Sequence, residues 1–230
     1  MFTRHLTSAM LVAAAVVLTT TACSDDNNGT APNTAQVRFV NAQTGGTGSL
    51  ALNTNGTAGS AVAYQAGGSC QTVTAGNTSL SFAASNGTGA TTTIPAQTFS
   101  AGGRYTVVAT GSAAAPQYLV LNDATTSTAA SGRAWLRVVN TVGATPFDVY
   151  IGAPGAALGT SVQNSTTFNT SYPYLNVPAG STQVNVTGAG VQTILGTSST
   201  LSLASGTPQT VFFTPAAGLG TYTSFAVPSC

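Results

Sequence analysis

The chain reads as an all-β protein, organised as two tandem antiparallel β-sandwich domains. Three observations carry that expectation: apolar and polar residues alternate in short segments, clusters of Gly, Asn, Ser and Pro separate those segments, and one strand-rich unit occurs twice. Leu80 and Phe82 alternate with Ser79 and Ser81, and Val184 and Val186 with Asn185 and Thr187. Phe147, Val149 and Ile151 alternate with Asp148 and Tyr150. A period of two places each apolar set on one face of a pleated strand. Asn55-Gly56 and Asn86-Gly87 suit turns that require positive φ. No window carries a helical stripe, and the abundant Thr and Ser would weaken one while fitting exposed strand faces. Short strands between regularly spaced turn signals favour a sandwich over a barrel.

The internal similarity sets the domain boundaries. Val37-Arg38-Phe39-Val40-Asn41 returns as Leu136-Arg137-Val138-Val139-Asn140, an offset of 99 (136 − 37). Val73 to Thr78 returns as Val177 to Thr182, and Gly103 to Val108 as Thr207 to Phe212, both at 104 (177 − 73; 207 − 103). Tyr118 and Tyr222 keep that second offset. The difference, 104 − 99, predicts about five extra residues in the second unit between its second strand and Val177. The expected layout is a leader over 1–22, a tether over 23–34, sandwiches over 35–126 and 133–230, and a linker over 127–132. Each sandwich is long enough to bury a core of its own.

The N-terminus carries a separate signal. Arg4 and His5 precede the apolar run Ala9 to Leu18, and Thr20-Thr21-Ala22-Cys23 follows. The run is too short to span a bilayer, which takes about 20 apolar residues. A basic start, a short apolar stretch and small residues before a cleavage point form an export signal. The placement of Cys23 resembles the lipobox of bacterial lipoproteins, in which the cysteine is acylated and becomes the first residue. The resemblance departs at Thr20, where the lipobox usually has Leu; an ordinary signal peptide cut near Ala22 is the alternative. Ser24 to Thr34 is polar and turn-rich, as a flexible tether is. Ser24 after the cysteine resembles lipoproteins sent on to the outer membrane.

Beyond residue 22 the chain keeps Arg38, Arg104, Arg133 and Arg137 against Asp25, Asp26, Asp123 and Asp148, with no Lys, Glu or His. Four against four leaves no net side-chain charge. Ordinary globular chains are about 25% charged. Nucleic-acid binding needs clustered cations to neutralise phosphates, which this composition does not offer. Hydroxyl nucleophiles are plentiful but lack a His or Lys base, and Asp123 and Asp148 alone remain for two-carboxylate chemistry. The Gly-rich patch Gly45-Gly46-Thr47-Gly48 lacks the Lys and helix of a phosphate loop, and no His or Cys cluster points to a metal. The expectation is a non-enzyme without cofactor or metal.

Several side chains are weighed individually. Arg38 and Arg137 hold equivalent strand positions, where a repeated ligand contact competes with an exposed structural ion pair, for instance Arg137 with Asp148. Trp135 is the lone tryptophan; a sugar-stacking platform competes with packing at the domain junction. Tyr172 and Tyr174 flank Pro173 in the longer region of the second unit and are candidate interaction residues. Cys70 and Cys230 remain once Cys23 is assigned. An oxidising compartment favours their pairing, which would tie the two units together, provided the Cα atoms approach within about 7 Å.

The second unit resembles the DUF4397 family of secreted bacterial domains. The matching segments are Leu136-Arg137-Val138-Val139-Asn140, Asp148-Val149-Tyr150, Tyr174 to Gly180 and Leu203-Ala204-Ser205-Gly206. The first unit keeps Val37 to Asn41, Ala75-Gly76 and Phe99 to Val107, but Ser49-Leu50-Ala51-Leu52 replaces the Asp-Val-Tyr strand. The resemblance implies an Ig-like or prealbumin-like sandwich outside the cytoplasm and carries no activity. The expected function is therefore that of a lipid-anchored cell-envelope protein acting as a non-catalytic interaction or structural module. Its expected partners are the membrane, through the anchor, and envelope polysaccharide or a surface protein. A carbohydrate-binding module is the alternative, and coplanar exposed aromatics on one sheet face would distinguish it.

Overall fold

The computed structural model describes residues 33–46, 48–125, 128–143, 145–216 and 220–230. The leader, Cys23 and the tether as far as residue 32 lie outside the described residues, as do positions 126 and 127 at the junction. No helix occurs among the described residues, and the chain is all-β. The first nine strands are β1 (Thr34–Asn41), β2 (Leu50–Thr54), β3 (Thr57–Val62), β4 (Ala66–Gly67), β5 (Gln71–Thr74), β6 (Gly76–Ala84), β7 (Thr92–Phe99), β8 (Arg104–Ser112) and β9 (Ala115–Asn122). Five follow as β10 (Arg133–Asn140), β11 (Phe147–Gly152), β12 (Gln163–Thr166), β13 (Thr170–Ser171) and β14 (Leu175–Pro178). The last five are β15 (Gly180–Gly188), β16 (Ile194–Thr197), β17 (Leu201–Leu203), β18 (Pro208–Pro215) and β19 (Tyr222–Pro228).

β1 is the hub of one sheet. It pairs with β8 in parallel on one side and with β5 and β4 antiparallel on the other, and β9 lies beyond β8. A second sheet has the order β3-β2-β6-β7. Downstream the same pairings recur. β10 has β18 in parallel on one side, β14 and β13 on the other, and β19 beyond β18. β15 pairs with β11, β16 and β17, and β11 with β12. A bridge between Gly196 and Tyr222 joins β16 to β19, so the downstream strands form one continuous ten-stranded sheet. Only glycine permits that approach, because a Cβ on residue 196 would sit 2.9 Å from Tyr222 Cβ.

The parallel pairs β1–β8 and β10–β18 correct the expectation of a purely antiparallel sandwich. A hairpin forces neighbouring strands to run oppositely, but β8 returns to β1 after an excursion through the other sheet, and a crossover of that length frees its direction. The hairpin signal at Asn55-Gly56 holds: both residues have positive φ, 48° and 82°, and Thr54 pairs with Thr57.

Strand register places the two sets of strands in correspondence residue by residue. Arg38 opposes Thr106 and Arg137 opposes Thr210, giving the offsets of 99 and 104 read from the sequence (137 − 38; 210 − 106). Two details differ. Leu50 pairs with Ala84 and Phe147 with Gly188, so β2 and β11 are 97 apart (147 − 50), and seven extra residues (104 − 97) precede β13. Tyr118 opposes Ala109, whereas Ser224 opposes Phe213, so the counterpart of Tyr118 is Ser224 and not Tyr222. A longer β18–β19 turn absorbs those two residues.

The alternation of each strand sorts its side chains into three cores. Val37 and Phe39 of β1 meet Leu52, Leu80, Phe82 and Ile94 of the second sheet. Leu136 and Val138 of β10 meet Phe147, Val149, Val184 and Val186. The opposite faces of β1, β8 and β9 present Val40, Val108 and Leu121, which pack on Val139, Phe212 and Val227 of β10, β18 and β19. The two hub sheets therefore pack face to face, and residues 31–230 form one compact unit. Gly67 of β4 lies under Val227, where a Cβ would come within 2.7 Å of a Val227 methyl.

Phe212 is completely buried in this third core and stacks on Phe225 at 5.2 Å. Phe212→Ala should cost about 3–5 kcal/mol, the ordinary range for emptying such a site. Urea denaturation reads it. A loss below about 0.5 kcal/mol would mean that this face meets solvent and that the two sheets do not pack.

Candidate functional site

The third core is interrupted by the most unusual feature of the chain, two arginines in its middle. On β1 the row facing the opposite sheet is Gln36, Arg38 and Val40; on β10 it is Trp135, Arg137 and Val139. Alternation dictates this, since the intervening residues fill the first two cores. Both guanidiniums are buried, Arg38 at 8% and Arg137 at 3% exposure. A buried charge needs hydrogen-bonding partners or it destabilises the fold.

Each finds its first partner across the seam. Arg38 Nη1 donates to the carbonyl of Pro228, at the end of β19, and Arg137 Nη1 to that of Asn122, at the end of β9, at 2.9 Å. Asn122 opposes Tyr105 and Pro228 opposes Gln209, so the two carbonyls occupy equivalent places. The residues after them also match: Asp123 N donates to Arg104 O at 2.8 Å and Ser229 N to Pro208 O at 3.0 Å.

The partners then diverge. Arg137 forms a buried ion pair with Asp123, donates to Thr210 Oγ1 at 3.0 Å, and lies 4.4 Å above the Tyr174 ring. Asp123 also accepts from Thr106 Oγ1 at 2.6 Å. Among the described residues Arg38 has no carboxylate partner. Its Nη2 donates to Cys70 Sγ at 3.0 Å, and its Nε is buried without a partner. Burial pushes the Arg38 guanidinium below its ordinary pKa, opposed by the fields of Asp123 and the Tyr174 phenol. Burial likewise pushes the Tyr174 phenol up, opposed by Arg137, so it stays a neutral donor above the ordinary tyrosine range.

The residues singled out from sequence fall around this seam, with one exception. Cys23 lies outside the described residues. Cys70 and Cys230 form a disulfide with Cα atoms 5.8 Å apart, joining the start of β5 to the residues after β19. Trp135 is buried at 8% exposure, its indole N–H unpartnered, beside a hollow lined by Thr125, Thr128 and Gly206. Tyr172 and Tyr174 border a cavity of about 290 Å³ with Asn122, Ala124 and Arg137. Of the two, Tyr174 belongs to the charge cluster, while the Tyr172 hydroxyl reaches only Asn164 O, at 3.5 Å.

Asp148 corrects the sequence reading. It does not meet Arg137; its two oxygens accept from the backbone N–H groups of Ser165 and Gly190, at 2.8 and 2.9 Å. Ser165 belongs to β12 and Gly190 follows β15, and Asp148 and Tyr150 are buried as well as Val149. Asp123 and Asp148 thus serve different elements. Among the described residues no group of three His, Cys, Asp or Glu side chains could hold a metal ion. The residue that sequence reasoning missed was Asp123 as the partner of Arg137. The repeat offsets held a clue, since they align Cys70 with Tyr174 and so mark where the two arginine environments differ.

Removing one partner of a buried pair strands the other. Asp123→Asn should lower unfolding free energy by roughly 3–5 kcal/mol, and Asp123→Leu with Arg137→Leu should lose less than Asp123→Leu alone. Chemical denaturation of the three variants decides it; equal losses for the single and the double variant would refute the pairing. Alkaline pH gives a second check. Tyr174 is held neutral in the fold, so its contribution is complete below the unfolded pKa of about 10 and is lost as pH rises through the folded value. Stability should fall above pH ~10, and Tyr174→Phe should flatten most of that slope, the remainder coming from Tyr222, which burial also raises.

No curated protein matches the chain. The model of the family described as Domain of unknown function (DUF4397) matches residues 46–150, from the β1–β2 loop through β9 and on to Tyr150 in β11.

Proposed function

We propose that the chain is a non-catalytic module of the bacterial cell envelope, two copies of one β-sandwich held together and tethered to the membrane by acyl chains on Cys23. The observation that carries this reading is where the charges lie. Arg38, Arg137, Asp123 and Asp148 are buried in structural contacts, and Arg133 is half-buried against Asn176. Among the described residues Arg104 is the single exposed ionisable side chain of Arg or Asp type. What remains outside is a surface of hydroxyls, amides and backbone, suited to neutral hydrogen bonding with polysaccharide or protein and not to ionic partners.

The matching register of β1–β9 and β10–β19 supports two copies of one unit, the second lengthened between β11 and β13. Catalysis finds little support, because both carboxylates are engaged away from any common cleft. A dedicated sugar-binding platform is also poorly supported: Trp135, Tyr105 and Tyr150 are buried, and among the described residues Tyr64 is the one aromatic of the four exposed large apolar side chains, beside Val162, Val191 and Ile194. The export signal, the cysteine and the polar tether support the anchor.

An acylated Cys23 binds through its chains, each buried CH₂ adding about 0.8 kcal/mol. An uncharged body adds almost nothing electrostatically. Cys23→Ser should therefore move the protein from the detergent-extracted membrane fraction to the soluble one, with an unchanged denaturation midpoint. Retention of the Cys23→Ser protein in the membrane fraction would refute the anchor. A glycan array probed with residues 24–230 separates the two module readings, since defined glycan binding would favour the carbohydrate-binding alternative.

A further inference from the structure

We infer that the Cys70–Cys230 bridge is a reducible site for thiol exchange, in which Arg38 makes Cys70 the leaving group and holds it as a reactive thiolate once the bridge opens. The two buried arginines have unequal surroundings. Arg137 has Asp123; the residue equivalent to Asp123 is the uncharged Ser229, which follows the Pro228 carbonyl that Arg38 holds. Arg137 lies over Tyr174; the equivalent of Tyr174 is Cys70, whose sulfur receives Arg38 Nη2 at 3.0 Å. While the bridge is closed, the seam holds two guanidiniums against one carboxylate. Opening it to a Cys70 thiolate supplies the missing anion within hydrogen-bond distance of Arg38.

A neighbouring cation lowers a thiol pKa from about 8.5 into the range of roughly 3.5–7.5 and makes that sulfur the better leaving group. The chemistry balances with a small-molecule thiol or a dithiol protein as reductant. Its thiolate attacks Cys230 Sγ, the bond between the two protein sulfurs breaks, and the electron pair leaves on Cys70 as a thiolate beside Arg38. A second thiolate then attacks the mixed disulfide, releasing Cys230, which takes a proton from solvent. The protein disulfide is reduced by two electrons and two reductant thiols are oxidised to their disulfide. Both cysteines are half-buried, neither being fully enclosed.

Arg38 also donates to the Pro228 carbonyl, two residues from Cys230. One guanidinium thus touches both sides of the bridge, and reduction removes the covalent tie between β5 and the residues after β19 while leaving the third core in place. This inference does not depend on the membrane anchor.

The full chain is equilibrated in glutathione buffers of stepped ratio, and the state of Cys70 and Cys230 is read by alkylation and site-resolved mass spectrometry. Arg38→Gln should make the bridge about tenfold or more harder to reduce, because the reduced state loses its stabilising cation. Ser229→Asp, which puts a carboxylate at the position where Asp123 stands in the other half of the seam, should shift the equilibrium in the same direction. In Cys230→Ser, where Cys70 is a free thiol beside an intact Arg38, alkylation of Cys70 should be half-maximal below about pH 7.5. Reduction equilibria that agree within twofold for the parent and the Ser229→Asp protein would overturn the proposal. So would a Cys70 that titrates near 8.5 in Cys230→Ser, a result that stands even if Arg38→Gln fails to fold.

Discussion

A guanidinium buried in a β-sheet face can be satisfied in few ways, and that constraint organises this molecule. Arg38 and Arg137 lie on the faces where the two hub sheets meet, in rows that continue into Val40 and Val139. Val40 and Val139 favour burial, while the arginines forbid it unless acceptors arrive from the facing sheet. The last strands supply them, at Pro228 O and Asn122 O. The acceptors are backbone atoms at defined register positions, so the contact specifies how the two hub sheets lie on each other. Apolar packing alone tolerates sliding; a buried donor aimed at one carbonyl does not. In this sense the arginines act for specificity more than for net stability, a role that buried polar groups take in some other systems.

The strands of this fold were legible because alternation survives in a low-charge sequence. Leu80 with Phe82 and Val184 with Val186 face the cores that their period assigns them. The repeat offsets were legible too, since 99 and 104 reappear as strand register. What could not be read depends on contacts distant in sequence. Asp123 comes 14 residues before Arg137 but belongs to the other hub sheet, and nothing local distinguishes it from Asp148 as a partner. Asp148 stood in an alternating strand whose polar face looked exposed. The backbone N–H groups of Ser165 in β12 and of Gly190 bind that aspartate and close the face. The parallel β1–β8 pair was hidden because turn signals report hairpins and not crossovers.

The halves of the seam also show one electrostatic problem met in two ways. At one end the cation meets a carboxylate and an aromatic ring; at the other it meets a sulfur and a lone carbonyl, with a covalent bridge alongside. Their positions match to the residue, so the differences lie in side-chain identity and not in backbone path: Asp123 against Ser229, Tyr174 against Cys70, Ala124 against Cys230. The disulfide closes a long loop, and by chain entropy such a link contributes up to about 5 kcal/mol. The ion pair contributes through hydrogen bonds that its desolvation partly cancels. The bridged end is therefore the one whose strength varies with redox conditions, and the ion-paired end is indifferent to them.

Scarcity of charge raises a final physical question, which is how the sheets avoid pairing edge to edge. Soluble β-proteins commonly place lysine on edge strands, and this chain has none. Its edges are interrupted instead. β3 pairs with β2 through a register shift between Ala51 and Asn53, and β12 pairs with β11 through one between Phe147 and Val149. β7 carries Pro95 and a further shift against β6 between Thr78 and Leu80, and β9 has Pro116 near its start. Bulges bend a strand away from a flat partner, and proline removes a donor from the ladder. Edge protection of this kind leaves the surface neutral, and it holds at any ionic strength because no charge is involved to be screened.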